Sequence, residues 1–194
     1  MRESIPPGTM CPVNILPRLV CLALCTVLLM PAASTRAAET PYNAGVEAWK
    51  KKDYPEAAKQ WSQAVLAGNL DAMNNLAFLY FNGLGMAPRV PDAIRLWQTA
   101  AYAGHSEAQW HLGIAYEQGT GVDKDLLKAY AWYRCSVENA TRRKTTDHSE
   151  VEAAIESDAR RSLEQITVKL GADQLSRART LANEYLLRYG KAAP

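Results

Sequence analysis

Asn75-Leu76-Ala77-Phe78-Leu79-Tyr80 is followed 36 positions later by His111-Leu112-Gly113-Ile114-Ala115-Tyr116. The same interval relates Gly83-Leu84-Gly85 to Gly119-Thr120-Gly121, and Ala93 and Trp97 to Ala129 and Tyr133. One pattern is therefore written twice within residues 72–140. A fixed period of this size marks a solenoid, in which each unit buries its apolar face only against its neighbours. Units of this kind serve as binding scaffolds far more often than as catalysts.

Outward from this stretch, the composition agrees. Apolar residues make up 48% of the 194, enough for a packed core. Ala, Leu, Glu, Lys and Arg dominate, so the expectation is all-helical. Arg18 precedes an uncharged apolar run, Leu19 to Met30, too short to span a bilayer but suited to a signal-peptide core. Small residues follow at Pro31 to Ala38. Residues 1–38 are therefore expected to be a Sec-type signal peptide cut between Ser34 and Ala38, just before Glu39. The long proline-bearing stretch ahead of it points to Met10 as the translation start. Lipid attachment is not expected, because Cys21 follows Val20 and Cys25 follows Leu24 rather than a small residue. The remaining chain would be periplasmic or secreted, with no stable membrane insertion after cleavage. It would carry no net charge, since the signal holds Arg2, Arg18 and Arg36 against Glu3. Without a basic stripe, nucleic acid is excluded as a partner. Only Cys135 survives cleavage, so no internal disulfide can form.

Three helix pairs are expected over residues 39–140, in repeats at about 41–71, 72–107 and 108–140. The first pairs Asn43–Lys52 with a helix opening at Pro55 and ending near Ala67, before Gly68. The second pairs 70–82 with 91–103, and the third 106–118 with 125–139. Ala57, Ala93 and Ala129 let backbones approach, as do Ala77 and Gly113, while Leu76, Tyr80 and Trp97 fill the remaining volume.

Ala108-Gln-Trp-His-Leu-Gly-Ile-Ala-Tyr-Glu-Gln-Gly-Thr-Gly-Val122, with Ala129-Tyr-Ala-Trp-Tyr133 after it, resembles the Sel-one-like repeat, a longer-loop relative of the tetratricopeptide repeat. The second repeat departs from that pattern at Met86 and Pro88. The resemblance spans about Pro41 to Ala140. It implies an α/α solenoid acting as an adaptor, of an exported bacterial type. Residues 141–190 are not a repeat. A polar stretch, Thr141 to Asp147, read as a loop or frayed helix end, precedes a helix opened by a Ser149/Glu152 capping box, with a stripe of Val151, Ile155, Ala159, Leu163, Ile166 and Leu170. Gly171 ends it. A last helix follows, with Leu175, Ala178, Leu181, Ala182 and Tyr185 as its stripe. The fold class is thus all-α: a right-handed α/α solenoid of three helix pairs with two C-terminal capping helices.

Motifs for chemistry are scarce. The Gly-x-Gly pairs follow helices, lack a P-loop lysine and read as turns. His105 and His111 are poorly spaced for one helical face and no metal ligand joins them. Asp123/Asp125 and Glu150/Glu152 suit solvated loops and helix starts. Asn139-Ala-Thr141 fits a glycosylation pattern, relevant only in a eukaryotic secretory route. Cys135 aligns with Gln63 and Thr99, so it is expected semi-exposed and inert. No cofactor and no catalytic residue is expected.

In the superhelix this chain resembles, the first helix of each pair lines the concave side. Counting from Ala44, Leu76 and Leu112, the positions facing it are Tyr42, Val46, Trp49; Asn74, Phe78, Phe81; and Trp110, Ile114, Glu117. Five of these are aromatic. They either pack successive helices together or form a groove for a peptide. The expected function is a monomeric, non-catalytic adaptor binding a protein or peptide of the bacterial cell envelope. An alternative is an envelope structural or regulatory protein binding peptidoglycan or a sensor ectodomain. A β-lactam hydrolase, the activity linked to a cysteine-rich branch of the family, is disfavoured because that branch carries paired cysteines in every repeat.

Overall fold

The computed structural model describes residues 40–143 and 149–190, so the expected signal segment and the Ser149 capping box fall outside the described side chains. The described residues form eight helices and no strand: α1 (Pro41–Lys50), α2 (Tyr54–Leu66), α3 (Leu70–Asn82), α4 (Val90–Tyr102), α5 (Ser106–Gln118), α6 (Leu126–Arg143), α7 (Ser149–Lys169) and α8 (Ala172–Tyr189). Each helix from α1 to α6 packs on the next.

The 36-residue period reappears as repeated backbone bonding. Asn69 caps α3 by accepting from Ala72 N–H (2.7 Å), and His105 caps α5 by accepting from Ala108 N–H through Nδ1 (3.2 Å). Arg89 N–H donates to Tyr80 C=O at 2.7 Å, and Asp125 N–H to Tyr116 C=O at 2.9 Å. The loop of the second repeat thus closes like that of the third, despite Met86 and Pro88. The second glycine of each loop explains the Gly-x-Gly spacing. Gly85 and Gly121 both have positive φ, 74°. A Cβ on Gly85 would lie 2.8 Å from Pro55 Cδ, and one on Gly121 would lie 2.6 Å from Val90 Cγ1. Each loop therefore seats its backbone on the start of the preceding repeat's second helix.

Ala57, Ala93 and Ala129 have no exposed surface, and Trp61, Trp97 and Tyr133 are almost fully buried beside them. In the first and third pairs the large ring sits directly on a glycine: Trp61 against Gly45, and Tyr133 against Gly113. Replacing Gly113 with leucine is expected to destabilise the protein by about 1–3 kcal/mol, because Tyr133 is pinned by its own hydrogen bond and cannot withdraw. Urea unfolding at constant m-value checks this; an unchanged midpoint would show that the ring gives way.

The C-terminal part departs from expectation in two places. First, α6 runs one turn further, to Arg143, taking in the start of the expected polar stretch. The basic residues there are held: Arg142 donates to the Gly190 carbonyl, and Arg143 Nε lies 3.1 Å from Glu152 Oε1. Second, Val151 does not belong to the buried stripe of α7. It is 57% exposed, whereas its neighbour Glu152 is 4% exposed. Ion pairing to Arg143, with a 2.7 Å hydrogen bond from Ser106 Oγ, makes burial of that carboxylate tolerable and sets the rotation of α7. Ile155, Ala159, Ile166 and Leu170 are buried as expected. From Ala129 to Ala140 only Arg134 and Glu138 of α6 are exposed, because α5, α7 and α8 all pack on it. Asn139 is therefore closed to glycosylation in the folded chain: its amide donates to Gln109 Oε1 (2.9 Å) and Tyr189 C=O (3.2 Å).

Candidate functional site

A 3.6-residue period puts Tyr42, Val46 and Trp49 on one face of α1, and Asn74, Asn75 and Phe78 along one side of α3. These faces, with Trp61 behind and Glu107 of α5 at one side, enclose a cavity of about 350 Å³. Trp49 is its aromatic hub, with centroids 5.2 Å from Tyr54, 5.9 Å from Trp61 and 5.9 Å edge-on from Phe78. A second cavity of about 130 Å³ shares Tyr42, Asn74, Asn75 and Glu107. It adds Asp71, His105, Arg143 and Glu152, reaching α7.

The polar side of this groove is tightly bonded. Asn74, only 2% exposed, donates through Nδ2 to Glu107 Oε2 at 3.0 Å. His111 Nε2 stands 3.8 Å from the other Glu107 oxygen, and its ring stacks on Trp97 (4.6 Å, 18°). His105 uses Nδ1 as the α5 cap, which leaves Nε2 to donate to Asp71 at 3.0 Å. Burial pushes the Glu107 carboxyl up, but the neighbouring His111 and His105 outweigh it and hold the group below its ordinary value. The Tyr42 phenol is held above its ordinary value, first by burial and then by the charges of Asp71 and Glu107.

Of the nine residues expected to face the groove, Tyr42, Val46, Trp49, Asn74 and Phe78 line the larger cavity. Phe81 instead packs on Trp97, centroid to centroid 5.1 Å. Trp110 donates its indole N–H to Ser162 Oγ of α7 at 3.1 Å. Ile114 packs in the cluster built from α6, α7 and α8. Glu117 accepts from Tyr133 OH (2.7 Å) and Lys169 Nζ (2.6 Å). The groove therefore runs over the first two repeats, and α7 lies on its continuation in the third. Asp71, Asn75, His105 and Glu107 were not among the expected residues. Asp71 and Glu107 occupy the same repeat position, 36 apart, and that recurrence of an acid was the available signal.

Among the described residues, no group of three or more His, Cys, Asp or Glu is placed to hold a metal ion, and no helix is long and apolar enough to cross a membrane. Cys135 is fully buried, correcting the expected semi-exposure. The aligned Gln63 and Thr99 are exposed because α7 and α8 do not cover α2, and α8 meets α4 at that helix's last residue, Tyr102. Burial pushes the Cys135 thiol up to about 12. At pH 8 the Cys135 thiolate is then on the order of one part in ten thousand, so in the native protein this thiol should not react with an aromatic disulfide reagent. The Cys135 thiol should become reactive only after denaturation; its rapid native reaction would refute burial.

Residues 70–105 and 106–140 match the Sel1 repeat family model. These boundaries lie two residues ahead of the expected ones, and the match leaves out the α1–α2 pair. Among solved structures, this chain is similar to c5321, a protective antigen present in uropathogenic Escherichia coli strains that displays an SLR fold. The two share 25% identity at a TM-score of 0.65, over 77% of this chain and 30% of that one. It is also similar to a Sel1 repeat protein from Oxalobacter formigenes, with 27% identity and a TM-score of 0.55, over 74% of this chain and 55% of that one. The chain thus spans under two thirds of both. No curated protein matches. Residues 70–105 and 106–140 thus match two Sel1 repeats, set among the described residues in an all-α helical-repeat fold.

Proposed function

We propose that this protein is a non-catalytic peptide-binding adaptor that works outside the cytoplasm, with the α1–α3–α5 groove as its binding face. Sel1 repeats generally act as protein–protein interaction modules. The observation that carries the reading is the 350 Å³ cavity, walled by Tyr42, Trp49 and Phe78 and edged by Glu107 and Asn74. Rigid aromatics beside a few fixed polar groups are the make-up of a recognition hot spot. The charge-free run Leu19 to Met30 behind Arg18, followed by small residues, supports export.

A photo-crosslinking amino acid at Val46, inside the groove, should give discrete adducts in the source cells. The same group at Leu66, which is 89% exposed on α2, should not. Equal labelling from both positions, or none from position 46, would overturn the groove. Export is tested separately: N-terminal sequencing of the cellular protein should begin near Glu39, and a chain that retains Met1 or Met10 would refute cleavage.

A further inference from the structure

We infer that the larger cavity takes a cationic side chain of the bound peptide, arginine ahead of lysine. The inference rests on the peptide-binding reading above and specifies its chemistry.

Three observations converge on it. The first is the wall. Tyr42, Trp49 and Phe78 present ring surface to a cavity of about 350 Å³, within the range of side-chain and small-ligand sites. Aromatic faces attract cations, and the flat guanidinium stacks on them better than an ammonium does.

The second is an unmet acceptor. Asn74 has already committed Nδ2 to Glu107 Oε2 (3.0 Å) and, more weakly, to Asn75 Oδ1 (3.4 Å), which fixes the amide orientation. Its Oδ1 is buried and has no hydrogen-bond partner. A buried acceptor without a donor is costly, and a donor entering the cavity would relieve it. A guanidinium carries five donors and no acceptor.

The third is charge. Glu107 is only 36% exposed on its side chain, and among the described residues no lysine or arginine lines the larger cavity. Arg143, in the adjoining cavity, is paired with Glu152. An anionic group entering here would meet Glu107 with no lysine or arginine in the lining to answer it. An apolar side chain would seal Glu107 and Asn74 away from water while pairing with neither. A cationic donor satisfies rings, carboxylate and amide oxygen together.

Random heptapeptides displayed on phage, selected against the full chain, test this directly. The expected result is enrichment of arginine, and less so lysine, at one fixed position. In the synthetic lead peptide, replacing that arginine by citrulline keeps the shape and removes the charge. Binding by calorimetry should weaken at least tenfold, and the arginine peptide should lose affinity with added salt. Glu107→Gln should weaken the arginine peptide about tenfold and leave the citrulline peptide nearly unchanged. The citrulline comparison needs no protein variant, so it decides the matter even if Glu107→Gln folds poorly. Selected peptides that lose binding on Val46→Asp but show no basic enrichment, or tolerate citrulline, would overturn the cation site and leave the groove standing. Absence of any peptide whose binding depends on Val46 would overturn both.

Discussion

Trp97→Ala is expected to lower unfolding stability by about 3–5 kcal/mol, the usual toll of removing a buried large aromatic. Trp97 is 2% exposed and belongs to the core cluster that joins α3, α4 and α5. Its ring stacks on His111 of α5 at 4.6 Å and meets Phe81 of α3 at 5.1 Å, so a single side chain ties the second repeat to the third. The small neighbours Ala77 and Ala93 have no bulk with which to close the hole. Its indole N–H is buried without a partner, so Trp97→Phe removes an unmet donor and should cost clearly less than the alanine change. Urea denaturation of both variants measures the difference. Leu66→Ala, at a site 89% exposed, is the control and should stay within about 0.5 kcal/mol of the parent. A Trp97→Ala loss no larger than that of the control would mean the ring is not a shared core element.

The repeat period was enough to locate the helices because every unit solves the same problem. Asn69 and His105 cap, Gly83 and Gly119 terminate with positive φ, and Gly85 and Gly121 seat the loops. Local chemistry of this kind is written in adjacent residues, so α3 and α5 fall at the expected positions, 70–82 and 106–118. Cys135 and Val151 were misread for the opposite reason. Their environment is set by how α7 and α8 lie on α6, contacts between residues far apart in sequence that no periodicity records. Alignment to Gln63 and Thr99 carried over exposure from helices that bear no such cover.

The candidate site divides along the same line. Helical spacing puts Tyr42, Val46, Trp49, Asn74 and Phe78 on one side, and these five line the cavity. The same offsets in the third repeat select Trp110, Ile114 and Glu117, yet Trp110 bonds to Ser162 and Glu117 to Lys169. Spacing alone gives direction relative to a helix axis; it does not say whether solvent or another helix lies there. Glu107 was missed because an acid in the first turn of a helix has an adequate local explanation in the dipole, and its bond to Asn74 crosses two repeats.

A chain ending at Arg143 is expected to lose cooperative unfolding, and this outcome separates two roles for α7 and α8. If they only cap an open solenoid end, their removal bares one apolar face and the rest of the array stays folded. The contacts argue for more than that. Leu163 and Ile166 of α7, Leu170 just after it, and Ala178 and Ala182 of α8 form one cluster with Ala129, Tyr130, Ala131 and Tyr133. Trp132 is covered by Tyr185 (4.8 Å) and Tyr189 (5.5 Å). Buried polar groups depend on the same helices: Ser106 donates to Glu152, and the Gln109 and Asn139 amides both donate to the Tyr189 carbonyl. Truncation thus exposes a large share of α6 and strips buried donors of their acceptor, costs that fall on the third repeat itself. The truncated chain should show reduced helicity per residue by circular dichroism, self-association on sizing and a midpoint lowered by more than about 10 °C, or no transition at all. A monomeric truncated chain that melts cooperatively within about 5 °C of the full chain would make the two helices an appendage, and α6 would then have to hold its buried face together without them.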